Sequence, residues 1–314
     1  MDNISYYTIF SLAKPKVSVP AKHIYIALSL ILYLMIIIFN LILIFTIILE
    51  KTLHEPMYIF LLNLCVNGLY GTSGFYPKFL FDLLSDSFEI SYSLCFVQGF
   101  VIHSSALCEL ATLTVMAYDR YIAICRPLNY HSIMTHTLIV KLLLFSWLFP
   151  AFSYGGALLL TNSMPLCRSQ IDKLYCDNLG IMKLSCKSRT SHNSYGLVIS
   201  FIFLLMVGFI IYSYIILIYS CVQCTDSKNK FMQTCVPHLL SLINFTFALL
   251  FDTMYSRYGS IDFSQGLYNF LTIEFLVLPP IFNPFIYGLK LTEVRKRALR
   301  MFINVKVTNL CKGE

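Results

Sequence analysis

Charge is what this sequence has least of. Of its 314 residues only 12% are Asp, Glu, Lys or Arg, half the roughly 25% of a soluble domain, and a fully solvated globular surface is thereby excluded. Other absences narrow the field. Ten-residue segments of alternating polarity, the mark of a membrane barrel, are missing. No Lys lies between Lys230 and Lys290, so the last apolar segment offers no Schiff-base amine for a retinal protein. Neither internal repeats nor paired charges at mid-segment point to a transporter. The apolar segments carry His103, His238, Glu109 and Glu274, too scattered for a hydrolytic constellation, so no enzyme is expected. The first 23 residues lack an apolar core followed by a small-residue cleavage site. The first apolar segment is therefore expected to serve as its own insertion signal.

What is there is apolar. The chain is 57% hydrophobic, with 26 Phe and 21 Tyr, and its mean hydropathy is +0.71. A bilayer core of about 30 Å needs roughly 20 apolar residues per helix, and backbone groups in lipid must be satisfied internally, so such runs read as helices. Seven qualify, at about 24–49, 57–80, 96–120, 138–162, 195–222, 231–255 and 263–288. The expected fold is an all-α membrane protein, a seven-transmembrane helix bundle over 24–289. An extracellular amino terminus (1–23) precedes it and a cytoplasmic tail (290–314) follows. The net charge of +7 concentrates in that tail, where Lys290, Arg295, Lys296, Arg297, Arg300, Lys306 and Lys312 follow the last span, as the positive-inside rule prefers. With charge in the tail and aromatics in the spans, no nucleic-acid partner is expected. Residues 292–305 place apolar side chains on one face, as an interfacial amphipathic helix does, and Cys311 is a candidate for palmitoylation. Asn3-Ile4-Ser5 is a glycosylation sequon on the side assigned as outside.

Polar residues inside the spans are few and therefore informative. Asn40 in span one reads as a hydrogen-bonded tie between helices. Gly68, Gly71 and Gly74 in span two permit close helix approach, and Pro77 is expected to kink that span. Span three is the most polar, with Gln98, His103, Ser104, Ser105 and Glu109, as suits a helix lining an interior cavity. Trp147, the sole tryptophan, reads as a packing anchor in span four. Span six bends at Pro237. Pro279, Pro280 and Pro284 weaken span seven, where Asn283 is expected to bond backbone groups left free by Pro284. Cys95, Cys167, Cys176 and Cys186 lie on the outer side, where disulfides form. Four cysteines allow three connectivities. A metal site made of these four is the poorer reading, because they lack C-x-x-C spacing. At the inner end of span three, Met116 to Tyr130 reads MAYDRYIAICRPLNY, an acid–base pair set between two tyrosines.

Taken together these residues resemble the rhodopsin-like G-protein-coupled receptors. The markers are Asp119-Arg120-Tyr121, Asn283-Pro284-Phe285-Ile286-Tyr287, Trp147, Asn40 and Cys95 with a loop cysteine. Within that group the chain is similar to the odorant receptors. MAYDRYIAICRPLNY, Leu53-His54-Glu55-Pro56-Met57-Tyr58, Ser213-Tyr214 and Lys230…Thr234-Cys235…His238-Leu239 match that family's signatures. So does the trio of cysteines in the second outer loop. Asn67-Gly68-Leu69-Tyr70-Gly71 and Phe75-Tyr76-Pro77-Lys78 look like its fish branch. The likeness spans the whole chain.

The resemblance implies bridges Cys95–Cys176 and Cys167–Cys186. It implies a G-protein switch of Asp119, Arg120 and Tyr121, in which Arg120 pairs with Asp119 at rest and is later supported by Tyr214 and Tyr287, with Asn283 and Pro284 in span seven. It implies an odorant site among the outer halves of spans three, five and six, with Ile102, His103, Ala106 and Leu107 as ligand contacts. It also implies a stimulatory G protein that raises cAMP, residence in the plasma membrane, and no cofactor or metal. The alternative is a non-olfactory rhodopsin-like receptor for a small metabolite or peptide. One position departs from the pattern: Gly68 stands where many members carry an Asp that binds sodium together with an acid matching Glu109. Glu109 is thus expected to have lost its partner, and sodium modulation is not implied.

Overall fold

The protein is described by a computed structural model over residues 8–15, 18–186, 190–223, 239–252 and 265–290. Asn3, Pro237 with the inner start of span six, the tail segment 292–305 and Cys311 lie outside the described residues.

Long apolar runs give long helices: α1 (Val19–Leu49), α2 (Pro56–Ser85), α3 (Tyr92–Cys125), the short α4 (Tyr130–Ile133), α5 (His136–Asn162), the short α6 (Asn178–Lys183), α7 (Thr190–Gln223), α8 (Leu239–Asp252) and α9 (Gln265–Lys290). Pro56 opens α2 at its first turn, where its missing N–H costs nothing. Among the described residues, α1, α3, α5 and α7 are long and apolar enough to cross a bilayer on their own. α2 is as long but carries buried Asn63 and Asn67, which face neighbouring helices rather than lipid.

α3 is the axis of the bundle. It packs on α2, α5 and α7, while α2 packs on α1 and α9. The most apolar stretch of α3 is 72% buried, against 28% in α1 and 22% in α7, so the outer helices turn apolar side chains such as Phe45, Phe152, Phe201 and Phe247 outward. Gly71 and Gly74 allow α2 and α3 to touch: a Cβ at Gly71 would collide with the Ser105 side chain, and one at Gly74 would sit 2.8 Å from Val101 Cγ1.

α2 continues as one helix through Pro77, with Tyr76 stacked on Tyr33 at 4.9 Å and Gln98 donating to the Gly74 carbonyl at 3.0 Å. One expectation about proline needs correction. In α9, Pro284 has no N–H, so the Pro280 carbonyl four residues earlier loses its helical donor. Asn40 of α1, not Asn283, supplies the replacement: its Nδ2 donates to Pro280 O at 2.8 Å.

At the end of the bundle that carries the amino-terminal segment, a small sheet pairs β1 (Ile9–Ser11) with β2 (Glu89–Ser91), antiparallel, with Phe10 opposite Ile90. Ser11 donates to Ser169 O and accepts from Ile171 N, both at 2.8 Å, and Ala13 donates to Lys173 O at 2.9 Å. The amino-terminal segment is thus stitched to the long loop between α5 and α7.

Candidate functional site

Polar side chains form three groups along α3. The middle group ties helices together. Asn63 donates to Thr112 Oγ1 at 2.9 Å and Ser146 Oγ at 3.3 Å, and accepts from Trp147 Nε1 at 2.7 Å. Asn67 donates to Ser105 O at 3.0 Å, and Ser105 Oγ returns a bond to Asn67 O at 3.3 Å. Glu109 has a partner, contrary to the expectation drawn from Gly68: Asn283 Nδ2 donates to its Oε1 at 2.8 Å, joining α3 to α9. The sequence pattern considered only an acid from span two. Helix geometry brings an amide from span seven to the same place.

At the inner end Asp119 and Arg120 are both buried, and Arg120 Nε donates to Asp119 Oδ2 at 2.9 Å. The other carboxylate oxygen accepts from Tyr130 Oη at 2.7 Å. That contact was not foreseen, although Tyr130 closes the signature stretch. Burial, and then the Asp119 charge, push the Tyr130 phenol up, so it remains a donor. Tyr121 is half-buried and Tyr214 of α7 is buried. Asn283 and Pro284 are buried on α9, and the Tyr287 side chain lies outside the described residues.

At the opposite end of α3 the Cys95–Cys176 disulfide, with Cα atoms 5.3 Å apart, pins the loop between α5 and α7 to the start of α3. Cys167–Cys186 closes the loop on itself at 5.4 Å. Beneath the loop lies a mostly apolar cavity of about 200 Å³ bounded by α3, α5, α7, α8 and the loop. His103, Ala106 and Leu107 line it. Ile102, one position from His103, turns instead to a much smaller cavity beside Gly68 and Glu109, which Ala106 also touches. His103 Nδ1 donates to Gly99 O at 3.1 Å, and its ring stacks on Tyr154 with centroids 4.8 Å apart.

Two acids that the sequence reading passed over also face this cavity, Asp177 and Asp252. Lys173 lies between them, with Nζ 2.7 Å from Asp252 Oδ1 and 3.2 Å from Asp177 Oδ2. All three are buried. Burial alone would raise the Asp177 carboxyl, but the Lys173 ammonium outweighs it and holds the group below the usual carboxylate range. Burial alone would lower Lys173, and the two carboxylates outweigh that as well, so it stays well above the ordinary lysine value. The signal for Asp177 was its place next to Cys176, which the bridge fixes over α3. Asp252 is the acid at the outer edge of span six. Among the described residues, no group of three or more His, Cys, Asp or Glu side chains is placed to hold a metal.

Comparison with known proteins agrees with this architecture. The olfactory receptor family model matches residues 28–305. Human olfactory receptor 52K1 is 31% identical over 264 residues, 81% of this chain and 82% of that protein. Human olfactory receptor 2K2 is 33% identical over 300 residues, 94% and 93% of the two chains. The fold is similar to that of squid rhodopsin, with a TM-score of 0.74 and 16% identity, over 96% of this chain and 92% of that one. The chain therefore belongs to the olfactory receptor family, and is a multi-pass membrane receptor rather than an enzyme.

Proposed function

We propose that this receptor is activated by a small odorant bound in the outer cavity, and that it passes the signal to a stimulatory heterotrimeric G protein, raising cAMP. The observation that carries the reading is the layout of α3. One continuous helix bears His103, Ala106 and Leu107 on the cavity at one end and the buried Asp119–Arg120 pair at the other. A ligand shifts such an equilibrium only by its differential affinity for the two states. Binding between α3, α7 and α8 favours the arrangement in which the inner ends separate. Arg120 then leaves Asp119 and meets the G protein, with Tyr214 and Tyr287 in support.

In this reading the amino terminus is extracellular and Asn3 is glycosylated. The disulfide-bearing loop on the cavity side supports that orientation, since disulfides form outside. The deciding experiment is Arg120→Ala in cells that report cAMP. Agonist-driven cAMP is expected to fall to baseline with surface level unchanged. A normal response in that variant removes the switch role.

A further inference from the structure

The reading above leaves the ligand open, and the charge around the cavity narrows it. Two carboxylates, Asp177 and Asp252, form part of its wall, whereas Lys173, the cation between them, is not in contact with the cavity. Among the described residues the cluster therefore carries one negative charge more than its single lysine balances. The two acids are not equally committed. Asp177 uses Oδ2 on Lys173 and Oδ1 on the Gly180 N–H at 2.9 Å. Asp252 accepts from Lys173 at 2.7 Å and from Tyr175 Oη at 3.4 Å, both on Oδ1, which leaves Oδ2 for a donor arriving through the cavity. Asp252 is 4% exposed, so that oxygen has little access to bulk water. His103 adds an acceptor, because Gly99 O can only accept and so takes the Nδ1 proton, leaving Nε2 for the cavity. Most of the rest of the wall is apolar, including Leu107, Phe203 and Leu249, with Ser153, Tyr154, Asn178, Tyr195 and Ser200 as its uncharged polar side chains.

From this we infer that the cavity takes a small monocation, a primary amine on a short apolar body, with its ammonium on Asp252 Oδ2 beside Asp177 and His103. The inference rests on the receptor reading above and specifies its ligand class. A buried excess charge is costly unless paired, and an alkylammonium, charged at neutral pH, supplies the missing cation with three donors. A carboxylate of the same body would face two like charges, and an alcohol would leave the charge uncompensated. The span-three position one turn above Ala106 is Ile102, so this anchor comes from α8 and the loop, not from α3.

The test uses the full-length receptor at the cell surface, with hexylamine, hexanol and hexanoic acid compared at equal concentration, and benzylamine against benzyl alcohol and benzoic acid. Hexylamine and benzylamine are expected to activate, and Asp252→Asn to reduce their potency about thirtyfold or more, the usual cost of removing one partner of a buried hydrogen-bonded charge pair. Should Asp252→Asn fail to reach the surface, the head-group comparison on the unaltered receptor decides alone. If the alcohols or acids activate and the amines do not, the ligand class falls while the receptor reading stands. If amine potency in a surface-expressed Asp252→Asn receptor is unchanged, the assigned anchor falls. A thermal shift of the purified receptor with hexylamine separates the two readings: stabilisation without any G-protein output supports the amine and removes the signalling reading. No shift and no output with any head group overturns the amine.

Discussion

At the scale of single residues, the inner end of α3 is held by more than an ion pair. Asp119 offers one oxygen to Arg120 and the other to Tyr130, so the carboxylate is fixed from the loop side as well as by its neighbour. A hydrogen bond to a charged group contributes about 1.5–3 kcal/mol. Tyr130→Phe removes that bond and little else, since the ring packing survives. Ligand-independent cAMP is expected to rise several-fold over the unaltered receptor at matched surface density. Unchanged basal output would mean that Tyr130 merely packs. The acid–base pair of the motif is thus part of a trio, Asp119, Arg120 and Tyr130. MAYDRYIAICRPLNY is legible as a sequence block, but that its last tyrosine folds back eleven positions onto its aspartate depends on the turn at Pro127–Asn129, which no periodicity reveals.

Elements are held by approach distance and by a few amides. Gly71 has no room for a Cβ because Ser105 already fills the space, whereas a Cβ at Gly68 meets Pro280 only at 3.4 Å and Asn40 Oδ1 at 3.6 Å. Gly71→Leu is therefore expected to push α2 from α3 and abolish surface delivery, while Gly68→Ala is tolerated. Surface staining of the two variants checks this, and equal loss in both would remove the distinction. Asn40→Ala deprives Pro280 O of its donor. Interhelical hydrogen bonds of this kind are worth on the order of 1 kcal/mol, so a fall of a few degrees in the unfolding midpoint of purified receptor is expected. Much of this level was legible: the apolar runs imply the helices, and Asn40 reads as a tie. What was not legible is the identity of the partner. The sequence makes Pro284 a helix breaker and Asn283 its natural companion, but the Pro280 carbonyl is reached from α1, and Asn283 goes to Glu109. Such pairings follow from the packing of remote helices, which a linear pattern does not contain.

At the scale of the whole molecule, the described residues at the disulfide-bearing end form one connected cap. The amino-terminal strand bonds to the loop, the loop is bridged to α3, and Lys173 carries the connection to Asp252 on α8. Cys176→Ser cuts this cap at its anchor and is expected to prevent maturation, checked by surface level; wild-type delivery would show the bridge to be dispensable. Acid probes the ionic part of the cap. Asp177 is held below its usual range in the folded chain, and an unfolded Asp titrates near about 3.9. A group depressed on folding adds stability that is present above the unfolded value and is lost as pH falls through the folded one. Asp177→Asn, which keeps the shape but not the charge, should therefore lower the unfolding midpoint of purified receptor by a margin worth about 2 kcal/mol, constant from neutral pH down to about 5. The margin should close below about pH 4 as Asp177 in the unaltered receptor takes up its proton. Melting curves of the two proteins across that interval read the difference directly. A margin that persists unchanged into strong acid would leave the Lys173 ion pair without a part in holding the cap, since the Asn variant keeps an acceptor for the Gly180 N–H.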